Sequence, residues 1–128
     1  MKNHKLKELL NSIDIKADWI GIREVKEITT YRAVRDGHPK ANDKEMTHGL
    51  LIEVLSNGQF GYYGTNKFDS QSIQIAAVNA LNQANLASDW SIYKFNDKVR
   101  PSSVGDYISY RQEKNEISPA VFNDILMK

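Results

Sequence analysis

The chain contains no cysteine, which removes disulfides, thiolate metal sites and cysteine nucleophiles in one step and suits a reducing compartment. Long hydrophobic runs are also missing. The amino-terminal stretch MKNHKLKELLNSIDIK carries lysines without the apolar core of a signal peptide or membrane span. An excess of one charge is absent too, with 17 Lys plus Arg against 16 Asp plus Glu, interspersed along the chain. A near-neutral chain offers few phosphate contacts. These absences set the expectation of a cytoplasmic protein with no membrane span and no direct nucleic-acid contact.

Recognisable catalytic chemistry is equally scarce. The three histidines, His4, His38 and His48, form no His-x-x-x-His or His-Glu-x-x-His pair. Glu45-Met46-Thr47-His48 has Glu-x-x-His spacing, but it opens a predicted strand, where residues i and i+3 face opposite sides. His48 therefore reads as a strand residue hydrogen-bonded near the sheet end. DGHPKAND lacks the glycine and glutamate of a calcium loop when counted from Asp36. Gly58, Gly61 and Gly64 recur every third residue, which matches neither a dinucleotide fingerprint nor a phosphate loop. No serine sits in a Gly-x-Ser-x-Gly elbow. No residue is nominated as catalytic, cofactor-binding or metal-binding.

What the chain does hold is an α+β pattern sized for one domain. Leu6, Leu9, Leu10 and Ile13 share one helical stripe, predicting a helix over 5–13. From 17 to 34 the pattern is strand-like, with Ile20 and Ile22 on one face and a broken period around Arg23–Val25, which predicts one bent strand or two short ones. RDGHPKANDKEM reads as an exposed connection. HGLLIEVL then gives a strand over 46–55. Asn57-Gly58 is the preferred pair of a type I′ hairpin turn and leads into a strand over 59–65. That register sets Leu55 opposite Phe60, Val54 opposite Gly61 and Glu53 opposite Tyr62. Gly61 and Gly64 are assigned to this structural hairpin with Asn57 and Gly58.

Asp69 or Ser70 can cap a helix over 70–87. Ile73, Ala76, Ala77, Ala80, Ala84 and Ala87 form a small-residue stripe fit for close packing on a sheet. No charged residue occurs from Ser70 to Ala87, and Ile75, Val78 and Leu86 lie away from that stripe among Gln and Asn. Those three aliphatics are candidate interface residues. A short strand over 90–95 is an optional fourth. The segment 96–117 is polar and turn-rich and reads as an extended linker. Ser118 and Pro119 open a last helix whose apolar stripe includes Phe122, a further candidate interface residue. The expected fold is a bent antiparallel sheet of three to four strands carrying two main helices, followed by the linker and a short helix. The chain ends about three turns into that helix with no C-cap, so it is expected to be the front of a longer protein.

The order of three segments, ADWIGIREVKEITTYRAVRDG, HGLLIEVLSNGQFGYYGTN and FDSQSIQIAAVNALNQA, resembles the amino-terminal domain of the TldD/PmbA family. That family has been labelled modulators of DNA gyrase and includes metalloproteases. Arg35-Asp36-Gly37, Gly58, Gly61, Thr65-Asn66 and the alanine helix occupy the family's places. Glu53 departs from it, because many members carry arginine there. The resemblance implies an amino-terminal domain over 1–95, the linker, and the start of a carboxy-terminal domain at 118–128. It also implies homo- or heterodimers with a second family subunit, and peptide or unfolded-protein substrates. In TldD-type members zinc is held by a His-Glu-x-x-x-His motif later in the chain, and no ligand of that motif has a counterpart in residues 1–128. The expected role is thus a non-catalytic module that supports assembly and encloses a peptide site formed elsewhere. The alternative is a free-standing α+β module binding an extended peptide.

Overall fold

Two Asx-Gly turns organise the sheet. In the computed structural model, which describes residues 3–109 and 117–128 and side chains from residue 5 onward, Asn57 and Gly58 both have positive φ, at 52° and 77°. This is the backbone of a type I′ turn, whose twist matches that of paired strands. Asp36 and Gly37 repeat it with φ of 53° and 72°. Around these turns lie β1 (Trp19–Arg35), β2 (His38–Ser56) and β3 (Gln59–Thr65), forming an open antiparallel sheet of order β1-β2-β3. Pairing of β2 with β3 runs from Leu50↔Thr65 to Ser56↔Gln59 and includes Leu55↔Phe60, Val54↔Gly61 and Glu53↔Tyr62, the register the Asn-Gly turn predicts.

One expectation is corrected by these strands. The segment 38–45 is exposed, as expected, but it is the first half of β2 rather than a loop. Its mixed charges hide the strand because neither face is covered, so no alternation is selected; the Asp36-Gly37 turn supplies the pairing instead. The sheet has three strands, within the expected three to four, and the optional strand over 90–95 is not among them. Near Arg23–Val25 the alternation breaks inside a single strand, β1, at the point where side chains pass from half-buried to exposed.

Among the described residues the helices are α1 (Asn3–Asn11), α2 (Ser70–Ser88) and α3 (Pro119–Leu126), with a 3-10 turn over Asp97–Val99. Asp69 caps α2, its carboxylate accepting the Ser72 N–H at 2.8 Å and the Ser72 hydroxyl at 2.8 Å. Ser118 caps α3 with Pro119 following it.

The chain divides into two compact units. The first comprises 1–26 and 47–102 and holds the core. Leu50, Ile52 and Val54 of β2 meet Ile73, Ala76, Ala77 and Ala80 of α2 and Leu9 of α1, with Ile20, Ile22 and Phe68 packed at the margin. Ile52, Val54 and Ile73 are fully buried, each contributing roughly 2 kcal/mol of hydrophobic stabilisation. The alanine stripe is buried as its spacing predicts, except Ala87, which is exposed at the end of the helix.

Gly61 brings helix and strand together. Its φ is not in the left-handed region, so space and not backbone freedom explains it. A Cβ there would overlap the Ala80 carbonyl oxygen and stand 2.7 Å from the Ala84 nitrogen. The α2 backbone lies directly on this glycine. On the other face Leu55 is also buried, and rings gather beside it: Trp19 edge-on to Phe60 at 6.3 Å, and Phe95 against Phe60 at 5.7 Å.

The second unit comprises 27–46 and 103–128. In it the outer parts of β1 and β2 are joined at Asp36-Gly37, and Arg32 Nε donates to Asn42 Oδ1 at 2.9 Å. Residues 110–116 of the expected linker lie outside the described residues.

Candidate functional site

Three amides of α2 account for part of its lack of charge. Gln74 accepts the Asp14 N–H and donates to the Asp14 carbonyl, both at 2.8 Å, tying down the chain that leaves α1. Gln83 accepts the backbone N–H of Tyr62, satisfying an outer donor of the edge strand β3. Asn85 Oδ1 accepts both the Ser56 hydroxyl at 2.8 Å and the Asn57 amide at 3.0 Å, which fixes the turn to the helix. Gln74 both donates and accepts, which an amide does and neither Lys nor an ionised Glu can, while Gln83 and Asn85 serve as acceptors, which Lys cannot.

Once these amides are assigned, three aliphatics still lack an internal role. Ile75, Val78 and Leu86 are 54%, 39% and 71% exposed. They fall at i, i+3 and i+11, along one line of the helix. Phe122, the fourth candidate, belongs to the second unit, where the Arg32 guanidinium stacks over its ring at 5.4 Å. There it lines a groove of about 790 Å³ with Tyr31, Lys44, Ile117 and Pro119. The structure therefore brings Ile75, Val78 and Leu86 together on one helix and gives Phe122 a separate setting in its own unit.

An open cleft of about 650 Å³ flanks the amino-terminal end of α2, lined by His48, Leu50, Tyr63, Thr65, Lys67 and Ile75 among others. His48 Nε2 is 2.7 Å from Glu24 Oε1, and its ring lies 4.7 Å from that of Phe68. This bond holds the Glu24 carboxyl below the usual carboxylate range. A histidine oriented by a carboxylate is half of a general-base arrangement, which needs a nucleophile as its other half. Of the hydroxyls lining the cleft, Thr65 accepts the Lys67 N–H at 3.1 Å and Ser72 donates to Asp69, while Thr47 and Tyr63 also face it. The Glu24–His48 pair ties β1 to β2 at the cleft. His48 stands where the sequence places it, in a strand and hydrogen-bonded. The sequence contains no His-Glu-x-x-x-His motif, so the zinc that the family resemblance implies has no matching ligand set in this chain.

A second cluster was not visible in the sequence. Glu53, the position that departs from the family pattern, accepts from Arg100 Nη2 at 2.5 Å and from Arg100 Nε at 3.4 Å. The guanidinium also lies over the Phe60 ring, 4.7 Å from its centroid. The Tyr62 phenol is pushed up by burial and then by its hydrogen bond to Glu53, and Arg100 is raised chiefly by the same carboxylate. The glutamate charge is thus answered from within the chain. Forty-seven residues separate the partners, so no local motif could announce them. No protein-family model matches the chain, and no curated protein matches it.

Proposed function

We propose that the chain is a non-catalytic amino-terminal module of the TldD/PmbA type, belonging to a zinc metallopeptidase subunit whose metal site is formed elsewhere. In this role it supports assembly with a carboxy-terminal domain and a second family subunit, and encloses the peptide site. The observation that carries the reading is the exposed Ile75, Val78 and Leu86 line on α2, a surface free of charge that these aliphatics share with Asn79 and Asn82. The succession of Asn-Gly turn, glycine-aromatic strand and alanine helix supports it as well.

The test is purification of the native polypeptide with antibodies against this chain. The reading expects a polypeptide longer than these 128 residues, bound zinc in the assembly, and peptide hydrolysis that stops on chelation. A native chain of 14.6 kDa without associated zinc would overturn it.

A second reading, a free-standing peptide-binding module, draws on β1. This strand of 17 residues forms one side of an open sheet, and an unpaired strand edge can accept an extended peptide by main-chain hydrogen bonds. It predicts saturable peptide binding by the isolated chain with no change in its own association state.

A further inference from the structure

After α2 the chain does not depart from the sheet. Residues 91–100 run back along the β2–β3 hairpin, and the attachments are specific. The Phe95 N–H donates to the Gly58 carbonyl at 2.8 Å. Gln59 donates through its side-chain amide to the Tyr93 carbonyl. The Lys94 stem lies so close to the turn that a Cβ on Gly58 would stand 2.7 Å from it. At the far end Arg100 grips Glu53 through two nitrogens and covers Phe60. Between these points the Phe95 ring lies against Phe60, and Tyr93 stands edge-on to Phe95 at 4.9 Å.

The segment has little regular structure of its own beyond the turn over Asp97–Val99. All its side chains except Ser91 are exposed. Its position is therefore set by the hairpin it lies on, through contacts open to water at their outer side. The hydrophobic core is on the opposite face, between β2, α2 and α1. A segment held in this way can open locally while the core remains folded.

We propose that residues 91–100 are a latched strap. The Glu53–Arg100 pair holds it closed over the aromatic face of the hairpin, and release uncovers Phe60 with its neighbouring rings while the core stays intact. Two features make this pair the latch. It is the strap's ionic attachment and lies at its carboxy-terminal end, so its loss frees the end of the segment. It is also two-pronged, a geometry stronger than a single hydrogen bond, while Arg100 retains 40% side-chain exposure and is open to screening by salt. The inference is independent of the TldD/PmbA reading.

Amide hydrogen exchange on the full chain tests it. In Arg100→Ala and in Glu53→Gln, the Phe95 amide exchanges roughly tenfold faster than in the parent chain, while the Ile52 and Val54 amides keep their parent rates. In the parent chain, about 1 M NaCl, which shortens the screening length to about 3 Å, accelerates Phe95 exchange; in Arg100→Ala it does not. Three results overturn the proposal: Phe95 exchange within about twofold of the parent in both variants, equal acceleration at Phe95, Ile52 and Val54, or no salt effect in the parent chain. The salt measurement needs no substitution and decides the matter even if a variant fails to fold.

Discussion

Replacing Gly61 with alanine adds one methyl group where the structure has no room for it. The new Cβ would overlap the Ala80 carbonyl oxygen and lie 2.7 Å from Ala84 N and 2.9 Å from Ala80 C. All three are helix backbone atoms, so no side chain can rotate away, and α2 must lift from β3 by on the order of 1 Å to restore ordinary contact. The lift loosens Ile73, Ala76, Ala77, Ala80 and Ala84 together, each no more than 1% exposed. Overpacking of a core costs about 1–3 kcal/mol, and a rigid obstacle places this case at the upper end, about 3 kcal/mol. Against a total stability of roughly 5–15 kcal/mol that is a large fraction, equivalent to on the order of 10 °C in Tm. Gly64→Ala is the matched control. Its Cβ meets nothing nearer than the Leu50 carbonyl oxygen at 3.9 Å, so the change stays within about 0.5 kcal/mol of the parent. Far-UV circular dichroism during thermal and urea unfolding reads both. A Gly61→Ala protein melting within roughly 2 °C of the parent, or a Gly64→Ala protein losing as much as Gly61→Ala, would refute the close-approach argument.

The turns, the cap and the exposed helix face give further tests. Gly58→Ala, with φ of 77° and Lys94 in the way, loses more stability than Gly37→Ala, with φ of 72° and nothing within 4 Å; the second costs about 1 kcal/mol from backbone conformation alone, as read from urea midpoints. Asp69 is held below the usual carboxylate range, first by the Ser72 N–H and then by the Ser72 hydroxyl. A depressed folded pKa means that this stabilisation is complete above the ordinary value of about 3.9 and is lost as pH falls through the folded one. Asp69→Asn, which keeps a capping oxygen, should therefore narrow the Tm difference between pH 7 and about pH 3. Asp69→Ala should lower Tm by a few degrees at pH 7. Ile75→Lys with Val78→Lys changes side chains already 54% and 39% exposed, so the isolated chain should keep its Tm within about 2 °C.

How much of this was legible beforehand depended on whether the determining contacts were local. Asn57-Gly58 fixes the turn, the turn fixes the register, and so Val54↔Gly61 followed from a dipeptide. The alanine stripe and the caps at Asp69 and Ser118 are equally local signals. The first half of β2 reads as a loop because sequence alternation records burial, and an exposed strand records little. Asp36-Gly37 was the available clue, since it has the same turn chemistry as Asn57-Gly58. The absence of charge on α2 is visible in the sequence, but the partners of Gln74, Gln83 and Asn85 lie 60, 21 and 28–29 residues away. The Glu53–Arg100 latch is longer in range than most of these and has no sequence signature at either end.

The exposed aliphatic line of α2 is proposed above as the surface through which this module assembles. Sedimentation velocity of the chain mixed with a TldD-type subunit encoded in the same genome tests it most directly, run in parallel with the Ile75→Lys, Val78→Lys chain. The expected result is a faster-sedimenting complex with the parent chain and a loss of at least about tenfold in affinity with the double variant, since two lysines must be desolvated against an apolar surface. Equal complex formation by both chains, or none by either, would contradict it.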